Sequence, residues 1–204
     1  MKRKQLILFS IIACLLIPSF SYAVIDTFTP PDHDMYDLDH WYYYTWGIEG
    51  NIPNGDQITE ATLTFKNIWD WIDETNDHLY VHLLDNPIAG LTSVYDAQGG
   101  GDYFSGQGVL IDDWSDGAGG SATGFNLVYK FSDLGLIDDL TAYANTSYSA
   151  GQGNFGFGID PDCHYYNDGI EFQITTAPIP EPASLSLLGL GLLGLLGLKR
   201  KKVV

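Results

Sequence analysis

Oxygen ligands for a hard cation are the chemistry this chain carries most of. Asp32, Asp34, Asp37 and Asp39 alternate with other residues in one short run that ends at His40, and Asp160, Asp162 and Asp168 fall in a later one. Calcium takes about six to eight oxygens at ~2.3–2.6 Å, and carboxylates carried on loops supply them. Neither run has EF-hand spacing, because His164 stands at the third ligand position after Asp160 and Asp162 and the glycine falls wrong. Asp160, Asp162 and Asp168 are candidate ligands of a structural calcium ion. The competing role is turn formation, which Asp and Asn in hairpins commonly serve.

His78 and His82 imitate a zinc-binding pair, but on a strand a four-residue separation is ~13 Å. One ion requires both nitrogens at ~2.0–2.1 Å, so the pair is expected to face solvent or lie half-buried. Cys163 and His164 invite a thiol-imidazole reading; adjacent residues project apart, and catalytic pairs meet in space rather than in sequence. Aromatic side chains form the third constellation. Trp41, Tyr42, Tyr43, Tyr44, Trp46, Trp69, Trp71, Tyr165 and Tyr166 are too many for one core face. Flat exposed rings bind sugars through apolar contacts with a polar tip nearby, whereas buried ones stack across strands. Trp69 and Trp71, read as lying in a loop, are the candidate carbohydrate contacts. Glycosidase chemistry needs two carboxylates ~5–9.5 Å apart, and with so many acids such a pair arises by chance. Phosphate-loop, nucleophile-elbow and paired Cys/His metal motifs are absent from the sequence, and the expectation is a protein that is not an enzyme.

The elements that must position these residues read as β nearly throughout. Residues 40–48 read as a strand with aromatic side chains on both faces, and alternation marks strands over 58–68, 79–83, 125–131, 155–159 and 170–174, with less regular pieces at 109–111 and 141–148. The inward rows are Ala61, Leu63 and Phe65, then Leu79, Val81 and Leu83, then Phe125, Leu127, Tyr129 and Phe131, and finally Phe155, Phe157 and Ile159 with Ile170, Phe172 and Ile174. Ser132 to Gly135 reads as a cap or single helical turn. The glycines at 99–101 and 117–120 bracket Asp112, Asp113, Trp114 and Asp116 in what reads as long surface loops. Seven or eight antiparallel strands predict an all-β fold, a single antiparallel β-sandwich of jelly-roll-like form.

Both ends of the chain carry targeting features. Met1 to Lys4 is a basic start, Leu6 to Ile17 an apolar stretch, and Ser21-Tyr22-Ala23 a small-residue cleavage site, so residues 1–23 read as a signal peptide. An alternative is a lipobox at Ile11-Ile12-Ala13-Cys14, with Cys14 acylated. At the other end Pro180-Glu181-Pro182 precedes an apolar run from Ala183 to Leu198 and a Lys199-Arg200-Lys201-Lys202 cluster. Sixteen helical residues reach only ~24 Å, short of a ~30 Å hydrocarbon core, which suits a transient inner-membrane anchor with its basic end cytoplasmic. Residues 24–176 are then one β-sandwich domain and 177–204 a tail of spacer, triplet, apolar helix and basic end.

Charge is distributed unevenly between these parts. Glu181 is the one acidic residue of 26 outside residues 24–176, and of nine Lys and Arg only Lys66 and Lys130 lie inside, which gives that segment a formal charge of −23 against −17 for the whole chain. Such a field repels phosphate backbones and excludes nucleic acid as a partner. It favours cations and neutral or cation-bridged polymers. Cys163 is the only cysteine there, so no disulfide can form within it.

The C-terminal triplet, apolar run and basic cluster together resemble the PEP-CTERM family of bacterial sorting signals. The resemblance covers about the last twenty-five residues. It implies a Gram-negative host that makes extracellular polysaccharide, and a membrane-embedded cysteine transpeptidase, exosortase, that recognises Pro180, Glu181 and Pro182 and removes the tail. The body is similar to a recurrent group of PEP-CTERM proteins of no assigned activity, on Gly55 to Leu63, His82 to Asp85 and Phe157 to Gly169. Together these imply an exported β-sandwich of the cell envelope, cell surface or extracellular matrix, non-catalytic and associated with exopolysaccharide or biofilm. The alternatives are a secreted, glycoside hydrolase-like enzyme and a calcium-stabilised adhesin.

Overall fold

The structure is a computed structural model that describes residues 22–31, 35–50, 52, 56–70, 77–97, 100–115, 125–179, 189 and 191. The chain divides into two units, Ala23–Ala177 and one made of Met1–Tyr22 with Pro178–Val204. Of the second unit only Tyr22, Pro178, Ile179, Gly189 and Gly191 are described, so residues 1–21 of the signal peptide, Cys14 among them, together with Pro180, Glu181, Pro182 and most of the apolar run lie outside the described residues. Among the described residues no helix is long and apolar enough to cross a membrane.

The first unit consists of strands β1 (Val24–Phe28), β2 (Asp37–Leu38), β3 (Tyr42–Ile48), β4 (Asp56–Asp70), β5 (Leu79–Asp85), β6 (Gly90–Tyr95), β7 (Val109–Trp114), β8 (Phe125–Lys130), β9 (Phe155–Pro161), β10 (Tyr165–Tyr166) and β11 (Ile170–Pro178), with helices α1 (Phe131–Leu134) and α2 (Ile137–Ala144) after β8. The strands form two antiparallel sheets, one of five strands in the order β6-β3-β9-β5-β7 and one of six in the order β1-β11-β4-β10-β2 with β8 also on β4. Strand alternation puts one apolar row of each sheet inward. Trp46, Val81, Phe157 and Ile159 of the first sheet meet Leu63, Phe65 and Phe172 of the second in a single buried core. The ring centres of Phe157 and Phe172 are 4.8 Å apart at 71° across the gap, the edge-to-face geometry favoured by aromatic quadrupoles. This is the antiparallel β-sandwich expected from the pattern.

Four local expectations are corrected. Residues 141–148 do not form a strand; Leu136, Leu140 and Ala144 are buried at a spacing of four, and this helical period builds α2. The turn after β8 is the expected one, α1 closing at Gly135 with φ of 73°, but Phe125, expected inward, is exposed near the start of its strand. Residues 112–114 extend β7 along the edge of the five-stranded sheet instead of forming a loop. Trp69 and Asp70 are the end of β4, paired with Tyr166 and Tyr165. The length of β4 accommodates a bulge at Asn67, whose φ is 48°. Its register on β8 shifts between Phe65 and Ile68, so both of those residues are buried although their parity differs.

Candidate functional site

The outer face of the five-stranded sheet is where the chain concentrates unusual side chains. Tyr44, Trp46 and Ile48 of β3 and Phe155, Phe157 and Ile159 of β9 point inward, which sends Tyr43 and Thr45, and Gly156, Gly158 and Asp160, to the other side. On β5 Tyr80, His82 and Leu84 share that outer face. The glycines leave a trough in the middle of the sheet, and a loop from Gly100 to Gly108 lies in it. A Cβ at Gly158 would sit 2.7 Å from the Phe104 ring, so the glycine is what lets Phe104 lie against the sheet, where it is buried.

Polar groups tie this loop down along its length. Asp160 Oδ2 accepts the Tyr103 N–H at 2.7 Å, and the Asp162 carboxylate accepts the Gly101 N–H at 3.1 and 3.3 Å. Asp102 Oδ1 accepts the Phe104 N–H at 3.0 Å, while its Oδ2 lies 3.0 Å from His82 Nε2. His82 Nδ1 reaches the Gln107 carbonyl at 3.1 Å. His82 is therefore buried, only 3% exposed, and neither solvent-facing nor half-buried as its place on a strand suggested. Asp160 is 1% exposed. Burial pushes its carboxyl up to about 7, with Asp162, Asp96 and Asp102 pushing the same way and the Tyr103 N–H opposing them. Asp162 is raised as well, again chiefly by burial.

Beside the loop runs a groove of about 480 Å³, whose walls include Tyr43, Tyr103, Phe104, Pro87, Ile88 and Tyr143, with Asp85, Asn86, Thr45, Thr92 and Gln107 as polar contributors. Tyr43 and Tyr103 stack with ring centres 3.5 Å apart at 14°. The Tyr43 hydroxyl is pushed up to about 12 by burial first and by Tyr103 second. Tyr103 and Ile88 are exposed. A partly apolar trough with amide, carboxylate and hydroxyl groups along its walls has the composition of a small-molecule or glycan site.

The structure treats the sequence candidates unequally. Trp69 is half-buried and packs on Tyr166 with ring centres 4.6 Å apart, and Trp71 lies outside the described residues. Among the described residues, exposed aromatics near the five-stranded sheet include Tyr103, and Trp41, just before β3, which stacks on Tyr95 of β6 at 5.9 Å. Asp160 and Asp162 both serve the Gly100 to Gly108 loop, whereas Asp168 accepts from Asn67 Nδ2 at 2.9 Å. Among the described residues, the two groups of three whose ligand atoms lie within 4.8 Å of one another are Asp39, His40 and His164, and Asp70, Asp77 and Cys163. The proposed calcium set of Asp160, Asp162 and Asp168 is not one of them. Cys163 is buried with Asp70 and Asp77, while its neighbour His164 turns to Asp37 and His40. The loop's hold on Asp160 and His82 is the part sequence reasoning missed, and the alternation of Gly156, Gly158 and Asp160 with aromatics was the available signal.

Comparison with known proteins bears on the tail. A search of curated proteins finds no match to the chain. Residues 178–201 match the family described as PEP-CTERM protein-sorting motif, over the same triplet, apolar run and basic cluster that carry the resemblance in the sequence. The chain thus carries a PEP-CTERM sorting motif, which marks it as an exported protein handled by an exosortase and directed to the cell envelope or surface.

Proposed function

We propose that the sandwich is a non-catalytic module that binds exopolysaccharide in the envelope or extracellular matrix, with the groove beside Tyr43 and Tyr103 as its binding surface. The observation that carries this reading is the groove itself, which brings the stacked Tyr43 and exposed Tyr103 together with Asp85, Asn86 and Gln107 on the outer side of the sheet. Sugar rings offer apolar CH faces and hydroxyl edges, and this surface offers a partner for each. The charge of the body selects against strongly anionic polymers unless cations bridge them. Binding of the purified protein to the producing organism's own exopolysaccharide, measured with and without calcium, tests it. Saturable binding that is lost in Tyr103→Ala supports the groove; no binding in either condition leaves a structural or protein-contacting component.

The rival reading, a carbohydrate-active enzyme, has one observation in its favour. Burial pushes the Asp160 carboxyl up to about 7, the direction a general acid needs. Its Oδ2 is occupied by the Tyr103 N–H and it lies under the loop, which favours a structural role. Hydrolysis of the polysaccharide that disappears in Asp160→Asn and survives in Asp85→Asn would promote the enzyme. The adhesin reading would be supported by a melting temperature that falls on chelation of calcium.

A further inference from the structure

The acidic run before β3 and the residues before β10 meet at one corner of the six-stranded sheet. Asp39 and His40 come from the turn between β2 and β3, and His164 from the residue before β10, 124 positions away in the chain. One ligand atom from each lies within 4.8 Å of the other two, and all three side chains are half-buried. The two imidazole rings have centres 5.8 Å apart and stand nearly perpendicular, at 87°. Two imidazoles that share a tetrahedral ion at ~2.0–2.1 Å per nitrogen have ring centres roughly 5 Å apart. The rings therefore need to close by about 1 Å or less, within reach of side-chain rotation.

The surroundings hold these groups in place. Asp39 Oδ1 accepts the Trp41 N–H at 3.0 Å, and the Asp39 N–H donates to the Tyr44 hydroxyl at 3.0 Å. His164 Nε2 is hydrogen-bonded to Asp37 Oδ1, the carboxylate–imidazole pairing that fixes the orientation and tautomer of metal-binding histidines. His164 also packs on Tyr166, ring centres 5.2 Å apart. Lys66, one of the body's two basic side chains, is committed to Glu171 at 2.8 Å.

We propose that Asp39, His40 and His164 bind one divalent transition-metal ion of the zinc class, which clips the β2–β3 turn to β10. Two nitrogen donors and one carboxylate select such an ion over calcium, which takes oxygen ligands. Half-exposure leaves room for water or a further ligand at the remaining position. The proposal is independent of the polysaccharide reading, since the groove residues take no part in it.

Zinc titration by calorimetry, on the full chain purified in detergent and stripped of metal, tests this. The expected result is one zinc per chain, with affinity reduced at least tenfold in His40→Gln and in His164→Gln and unchanged in His78→Ala. His40→Gln leaves the Asp37–His164 hydrogen bond in place, so it keeps the test decisive if the His164 variant fails to fold. Zinc should raise the melting temperature of the wild type and leave that of His40→Gln unmoved. Cobalt in place of zinc should give visible bands of nitrogen and oxygen ligation. No saturable binding, binding equal to wild type in His40→Gln, or a cobalt–thiolate charge-transfer band lost in Cys163→Ser would each overturn the proposal.

Discussion

On the six-stranded sheet the residues that point away from the core are Thr62, Thr64 and Lys66 of β4 and Glu171, Gln173 and Thr175 of β11; on the five-stranded sheet the equivalent positions hold Tyr43, Thr45, Gly156, Gly158, Asp160 and His82. The first set is polar and half-buried or exposed, and Lys66 and Gln173 both bond to Glu171. The second set is covered by a segment of the chain itself, and two of its polar members are almost wholly buried. Burying Asp160 and His82 costs free energy that a threonine face would never incur. A β-sandwich needs only one apolar face per sheet to fold, so the organised outer face is an addition to the fold, the place where binding is expected. The inner faces explain stability; the difference between the outer faces points to function.

The sharpest way to break that comparison is at the trough. Gly156→Ala would place a Cβ 2.2 Å from the Trp46 carbonyl oxygen and 2.7 Å from Pro87 Cγ, and the Trp46 carbonyl cannot withdraw without moving β3. The expected destabilisation is about 3 kcal/mol or more, at the top of the overpacking range, read as a lower denaturant midpoint. Thr64→Ala on the other sheet should stay within ~0.5 kcal/mol. Equal effects at the two sites would mean that the faces are equivalent after all.

Asp160→Asn should act in the opposite direction. In the unfolded chain this carboxyl titrates near its ordinary value of 3.8, and in the fold near 7. Between those values the folded state holds a proton that the unfolded state has lost, so stability falls as pH rises through the interval and is lowest above pH 7. The amide keeps an acceptor for the Tyr103 N–H and carries no charge. At pH 8 the variant is expected to be more stable by about 2 kcal/mol, and below pH 4 the two proteins should melt together. A variant less stable than wild type at pH 8 would mean that the ionised carboxylate is what the loop needs.

Much of this arrangement is legible in the residues, for a physical reason. Strand alternation has a period of two, so Leu63 and Phe65 or Phe155 and Phe157 announce which face is inward without any partner in view. Trp69 was readable only as an aromatic beside an acid, because the bulge at Asn67 and the pairing with Tyr166 depend on strands far away in the chain. The 141–148 segment misleads because Thr141, Tyr143 and Tyr148 have strand-like side chains, while burial of Leu140 and Ala144 against the core decides for helix. The site lay further out of reach. His82 looks solvent-facing until the loop from Gly100 to Gly108 closes over it, and His40 meets His164 only when β10 docks on β2. Clusters made by chain folding over long separations leave no local spacing to read.

A smaller effect sharpens the picture of the groove. Tyr103 is 47% exposed and makes its backbone bond to Asp160 without using its side chain, so Tyr103→Ala should cost little stability while removing the ring stacked on Tyr43. Loss of one sugar-stacking ring should weaken polysaccharide binding roughly tenfold, equivalent to about 1.4 kcal/mol, with the melting temperature nearly unchanged. Unaltered binding together with an unaltered melt would remove the groove from consideration and return the question to the Trp41 and Tyr95 pair.

The smallest effect is expected where the six-stranded sheet carries its one ion pair among the described Lys and Arg residues. Lys66 Nζ and Glu171 Oε2 are 2.8 Å apart, with the side chains 44% and 24% exposed. Water screens such a pair, and ordering two long side chains offsets most of the attraction. The backbone of Lys66 is held independently, its N–H donating to the Gly169 carbonyl at 2.9 Å and its carbonyl accepting from Asp168 at 2.7 Å. Lys66→Ala should therefore lower stability by less than ~0.5 kcal/mol, and by less still at high salt. A loss of ~2 kcal/mol that vanishes with salt would show instead that the −23 body depends on each of its two lysines. The outer face of this sheet would then be governed by long-range charge, and the contrast with the glycine trough would be one of mechanism rather than of importance.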